Sequence, residues 1–150
     1  MRTIKYLSLI FILLSISCCV NQKKQDEEQI RNTVREYWNA IKKNDLKKYN
    51  NLFDDSENFS GAMQGDLYFL HKNYDKLNPN DILLKNIIIK DTTVMFAQNK
   101  QKYVQYIIKM RNDTNYIKKP LIITLMFFKP VGYNKIFNLA PLKNHIGWDK

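Results

Sequence analysis

Between positions 30 and 77 the apolar residues of this chain recur every three or four places, and after Asp81 they recur every second place. A period that changes from 3.6 to 2 along one chain means helices followed by strands. Helices that precede an antiparallel sheet are the pattern of an α+β domain, and 150 residues hold one such domain around one core.

The first helix is set by Ile30, Val34, Tyr37, Trp38 and Ile41, which share one face. Asp26, Glu27 and Glu28 lie toward its positive end and Lys42 and Lys43 toward its negative end. Asn44 and Asp45 end it and offer a cap for a second helix, in which Leu46, Tyr49, Leu52 and Phe53 align. Residues 54–64, DDSENFSGAMQ, read as a polar loop. A third helix is expected over 66–77 with Leu67, Leu70, Tyr74 and Leu77 inward, stopped by Asn78, Pro79 and Asn80.

Strands are expected at 84–90 and 93–97, separated by Asp91 and Thr92. The stretch 102–111 alternates, with Val104, Tyr106, Ile108 and Met110 on one face. A turn follows at 112–115, and the apolar run 121–129 fits a central strand buried on both faces. Residues 130–133 turn the chain, and 136–140 form the last strand, closed by Pro141.

Ahead of the domain, Arg2 and Lys5 followed by the apolar stretch 7–16 have the layout of a secretory leader, too short to span a bilayer. The chain has two cysteines, Cys18 and Cys19, adjacent in LLSISCC. Neighbouring cysteines are poorly placed for a disulfide framework. With only His71 and His145 beside them, they make no zinc site. Leu14, Ser15, Ile16 and Ser17 before Cys18 resemble the lipobox of bacterial lipoproteins. That resemblance implies a signal peptide over 1–17, a diacylglyceryl (palmitate-type) anchor on Cys18, and a protein lipid-anchored in the cell envelope, on the outer membrane or periplasmic face with surface exposure open. Cys19 is left free or itself acylated. VNQKKQDEE then reads as part of a polar tether over 18–28, joining the anchor to a domain over 29–141 with a tail over 142–150.

The net charge is +10, of which the leader holds two positive residues. Lysine doublets at 23–24, 42–43, 47–48 and 118–119 form no long run and arginine is scarce, which argues against nucleic acid as partner. An anionic membrane surface suits this charge better.

The stretch EEQIRNTVREYWNAIKKNDLKKYNNLF, 27–53, resembles the opening of the nuclear transport factor 2-like superfamily, also called cystatin-like or SnoaL-like. The resemblance implies a curved sheet wrapped around the helices as a cone with a pocket at its wide end. It gives Tyr37, Trp38, Tyr68 and Tyr106 as candidate pocket lining, with core packing as their other reading. Catalytic members use an Asp, or an Asp and His pair, as general base inside the cone. Asp66 and His71 are the candidates, but five helical residues set them about 140° apart. No GxSxG elbow and no glycine-rich phosphate loop occurs, and no cofactor or metal is expected. His145 and the exposed-type Trp148 lie in the tail. Two readings follow: a non-catalytic envelope lipoprotein that binds a partner protein or small ligand, and a SnoaL-like envelope enzyme acting on a small hydrophobic substrate.

Overall fold

The computed structural model describes residues 2–93, 100–108, 120–138 and 141–142. Its helices are α1 (Arg2–Lys43), α2 (Leu46–Asn51), α3 (Ser60–Lys72), α4 (Tyr74–Leu77) and α5 (Ile82–Lys85). Its strands are β1 (Lys90–Thr93), β2 (Lys100–Ile108) and β3 (Leu121–Phe127), paired antiparallel in the order β1-β2-β3. The expected α+β class holds: helices come first in the chain and the sheet follows.

The apolar face of α1 meets the sheet. Ile30, Val34, Tyr37, Trp38 and Ile41 are all fully buried, as their spacing requires. Across from them, Val104, Tyr106 and Ile108 of β2 pair with Leu125, Ile123 and Leu121 of β3, so one face of the sheet is a continuous apolar surface. Burying each large apolar side chain contributes about 1.5–3 kcal/mol. The other face of β3 is closed as well: Ile122 and Thr124 are buried, and Gln105 Nε2 donates to Thr124 Oγ1 at 2.9 Å.

The break after α1 forms as its residues dictate. Asn44 takes a positive φ of 53°, a conformation that asparagine tolerates, and Asp45 accepts a hydrogen bond from Lys48 N at 2.9 Å as the cap of α2. Tyr49 and Phe53 then return to the core.

The segment expected as a flexible tether is helical, and α1 runs unbroken from 2 to 43. No Gly or Pro interrupts it, Gln22 Nε2 donates to Asp26 Oδ1 four residues on, and Lys129 approaches Asp26 at 3.8 Å. Three further expectations are corrected. The loop placed over 54–64 is short, because α3 begins at Ser60 and passes through Gly61 and Gly65. The third helix breaks at Asn73 into α3 and α4. The strand expected over 84–90 is not one: Ile82–Lys85 is helical, and the sheet begins at Lys90 with Asp91 and Thr92 inside β1. Two contacts hold this corner, since Leu83 N donates to Asn78 Oδ1 and Tyr106 OH reaches Leu83 O, so tertiary contacts override the strand propensity of the isoleucines that follow. The expected strand at 93–97 and turn at 112–115 lie mostly or wholly outside the described residues, as do Met110, His145 and Trp148.

The last expected strand is replaced by a different device. Ile136 makes a single parallel bridge to Phe53, and Phe137 N donates to Met126 O at 2.8 Å. The side-chain amide of Asn138 then does what strand backbone would do: Oδ1 accepts from Met126 N and Nδ2 donates to Thr124 O, both at 2.8 Å. Pro141 O takes Thr124 N, so the outer edge of β3 is satisfied without a regular partner strand.

Candidate functional site

Tyr37, Trp38 and Tyr106 do converge. Trp38 meets Tyr37 edge-on at 5.3 Å and Tyr106 at 5.4 Å, and Tyr49 and Phe53 extend the cluster from Tyr37 at 5.5 and 6.2 Å. Tyr37 and Trp38 are 0% exposed and Tyr106 5%. These rings therefore fill the interior, and core packing is the reading the coordinates favour. Tyr68 does not join them: it is 63% exposed, with Lys72 Nζ 5.9 Å from its ring. Met63, Leu67 and Leu70 form the inward face of α3, and the residue after Leu67 is turned about 100° away from it.

The cluster is polar as well as aromatic. Tyr37 OH, Tyr49 OH and Trp38 Nε1 are buried and have no hydrogen-bond partner among the described residues. The two phenols approach each other and the indole approaches Tyr106, but neither contact closes as a well-formed hydrogen bond. Burial, followed by the neighbouring Tyr49 and Asp66, pushes the Tyr37 phenol well above its ordinary value. Burial and then Asp66 raise Tyr49, and burial pushes Tyr106 up to about 12. Phenols with raised folded-state pKa values stabilise the fold fully below the unfolded value of about 10 and lose that contribution as pH rises through the folded values. Alkaline unfolding is therefore expected above about pH 10, with part of the tyrosinate absorbance at 295 nm appearing together with the loss of helical ellipticity. Tyrosinate absorbance complete before the ellipticity falls would contradict a closed interior.

Asp66 and His71 stay apart in role. Asp66 is half-buried, and its charge acts on Tyr37 and Tyr49. His71 Nδ1 lies 2.9 Å from Ile41 O, and a carbonyl only accepts, so that nitrogen carries the proton. Ile41 lies in the last turn of α1, and its carbonyl, which also accepts from Asn44 N at 3.1 Å, takes the His71 N–H, so His71 fastens α3 to the end of α1.

An open cleft lies elsewhere. It has a volume of about 310 Å³ and is lined by Arg35, Glu36, Asn39, Lys42, Tyr74, Asp81 and Leu84. Tyr74 OH donates to Asp81 Oδ1 at 3.1 Å and Lys42 Nζ stands 3.9 Å from the same oxygen. Burial first, partly offset by the Asn78 hydrogen bond, raises the Tyr74 phenol. Asn80 and Asp81 both hold positive φ, 56° and 54°, beside this wall. Glu36 is engaged by Lys48, and Arg35 by Glu28 and Asn32. The cleft carries both signs of charge at its rim with one tyrosine and one leucine behind, an arrangement suited to holding a small polar molecule. None of the residues singled out from sequence lines it. The spacing of Arg35, Asn39 and Lys42 along one stripe of α1 was its sequence signal.

Among the described residues no group of three or more His, Cys, Asp or Glu side chains is placed to hold a metal ion, and no helix is long and apolar enough to cross a membrane. No protein-family model, curated protein or solved structure matches this chain.

Proposed function

We propose that the chain is a lipoprotein anchored in the cell envelope through Cys18, with a non-catalytic domain of the nuclear transport factor 2-like type that binds a partner protein or small ligand. The observation that carries binding over catalysis is the closed aromatic interior. A cone enzyme needs a base facing an open cavity, whereas here Tyr37, Trp38, Tyr49, Phe53 and Tyr106 occupy the space between α1 and the sheet. Of the two candidates, His71 has its protonated nitrogen on a helix carbonyl. Ligands are then taken from outside the core, and the cleft beside Tyr74 and Asp81 is one concave surface for that among the described residues.

The cone reading draws on the order of elements: a long first helix with an aromatic pair, a break at Asn44 and Asp45, a short helix reaching Leu52 and Phe53, and an antiparallel sheet packed against the first helix. The anchor reading draws on LLSISCC. A diacylglyceryl group and an amide-linked acyl chain bury methylenes at about 0.8 kcal/mol each, and two or more chains give stable anchoring.

Intact mass of the protein from native membranes tests the reading. The expected species begins at Cys18 and carries the acyl mass, and blocking the lipoprotein signal peptidase shifts it to the uncleaved precursor. Cys18→Ala is expected to remain unprocessed. An unmodified chain that retains Met1 would overturn the anchor.

A further inference from the structure

We propose that the domain docks on anionic lipid headgroups with the end that carries Lys23, Lys24, Lys90, Lys100, Lys102 and Lys129, an inference that rests on the anchor at Cys18 proposed above. The geometry behind it is the continuity of α1. Helical backbone runs without a break from residue 2 to residue 43, through Cys18 and into the buried face that starts at Ile30. A rod, not a string, then joins the anchor to the core.

Along a helix axis, at about 1.5 Å per residue, Lys23 lies about 8 Å from Cys18 and Asp26 about 12 Å, while Lys42 lies about 36 Å away. Other elements come to the near end of this rod. Lys129, on the turn after β3, reaches Asp26 on α1 at 3.8 Å. Lys102 of β2 holds Asp91 of β1 at 2.8 Å, and Lys23 and Lys100 flank the same carboxylate. Lys23, Lys24, Lys90, Lys100 and Lys129 are all exposed.

Among the described residues the carboxylates at this end are Asp26, Glu27, Glu28 and Asp91. Asp26 and Asp91 already face Lys129 and Lys102, and Glu28 faces Arg35, which leaves the near end a surplus of positive charge toward the bilayer. The far end of α1 and the α2 that follows it are also basic, with Lys42 and Lys43 on the one and Lys47 and Lys48 on the other, so composition alone does not select a face. Distance selects it. The potential of an anionic leaflet falls e-fold about every 8 Å at physiological salt, so it is still felt at the roughly 8–12 Å of the near lysines and is down to about a hundredth at the roughly 36 Å of Lys42.

The test uses the full acylated chain reconstituted in vesicles of phosphatidylcholine alone or with about 30% phosphatidylglycerol, with lysine accessibility read by acylation footprinting and mass spectrometry. Lys23, Lys24, Lys90, Lys100 and Lys129 are expected to react about three-fold or more slowly in the anionic vesicles, with the difference lost in about 0.5 M salt, while Lys47, Lys72 and Lys76 keep their rates. In Gln25→Pro, which breaks the rod and leaves every charge in place, protection of Lys90, Lys100 and Lys129 should disappear. Equal rates in both vesicle types, on a chain whose mass shows the acyl group, would overturn the docking and leave the anchor standing. Protection spread evenly over both ends would overturn the choice of face. A chain that carries no acyl group and stays in the supernatant would overturn both.

Discussion

Trp38→Ala is expected to cost about 3–5 kcal/mol of stability, read as a fall in the urea midpoint followed by far-UV circular dichroism. The indole is fully buried and meets three rings: Tyr37 at 5.3 Å, Tyr106 at 5.4 Å and Tyr74 at 6.3 Å. Removing it opens a cavity between α1 and β2 that helices and sheet cannot both close, since α1 is also fixed by Thr33 Oγ1 on Tyr133 O and by Arg31 on Ile87 O. Trp38→Phe should recover much of the loss, because it keeps a ring there and removes a buried N–H that has no acceptor. Tyr68→Ala, at an exposed position, should stay within about 0.5 kcal/mol of the parent. A Trp38→Ala protein as stable as the parent would mean that the interior is not closed around this ring.

Asn138→Leu is the second large effect, at about 2–5 kcal/mol, from two backbone groups of β3 that lose their partners at about 1–3 kcal/mol each. Thr124 is fully buried, so its carbonyl has no access to water, and Met126 N would be left beside it. Asn138→Asp separates the two roles. A carboxylate still accepts from Met126 N, but it turns a lone pair toward Thr124 O, and only its protonated form donates there. Its folded-state pKa is therefore raised, so stability should be highest below the ordinary carboxylate range and fall as pH rises through the folded value. Urea titrations of this variant at about pH 4 and pH 7 read the sign directly. A variant more stable at the higher pH would show that Nδ2 does not hold Thr124 O.

What could be read from the sequence was whatever a local pattern carries. The face of Ile30, Val34, Tyr37, Trp38 and Ile41 needed only its spacing, the Asn44 and Asp45 break needed only cap chemistry, and the apolar run at 121–129 announced a strand buried on both faces, which ends at Phe127. The failures share a cause in long-range contacts. Ile82–Lys85 is helical where Asn78 and Tyr106 take hold of Leu83, and neither partner is visible in a window around 84–90. The edge of β3 is closed by the Asn138 side-chain amide instead of a strand ladder; Ile136, Phe137 and Asn138 alternate in burial, but an inward Asn gives no sign that its side chain takes the place of strand backbone. The cleft gathers residues from 35–42, from Tyr74 and from 81–84, which have no common motif. Tyr68 went astray by one helical step: the spacing that turns Leu67 and Leu70 inward already sets it about 100° off that face, and its residue type alone suggests a pocket. The unpartnered hydroxyls of Tyr37 and Tyr49 arise only when two helices meet, and no spacing encodes them.

The bridge between Phe53 and Ile136 bears on the order of events during synthesis. It joins the corner after α2 to the segment that follows β3, and it is reinforced by Lys135 Nζ on Asn51 O, 84 residues apart, and Thr33 Oγ1 on Tyr133 O, 100 residues apart. Contacts of such separation form only after large loops have closed, which slows folding relative to a local helical bundle. While the ribosome is still short of residue 133, α1 can be helical with Thr33 Oγ1 on Gln29 O, but the contact to Tyr133 O is missing and β3 has an open edge. The contacts that close the domain therefore form late, once residues 133–138 have emerged.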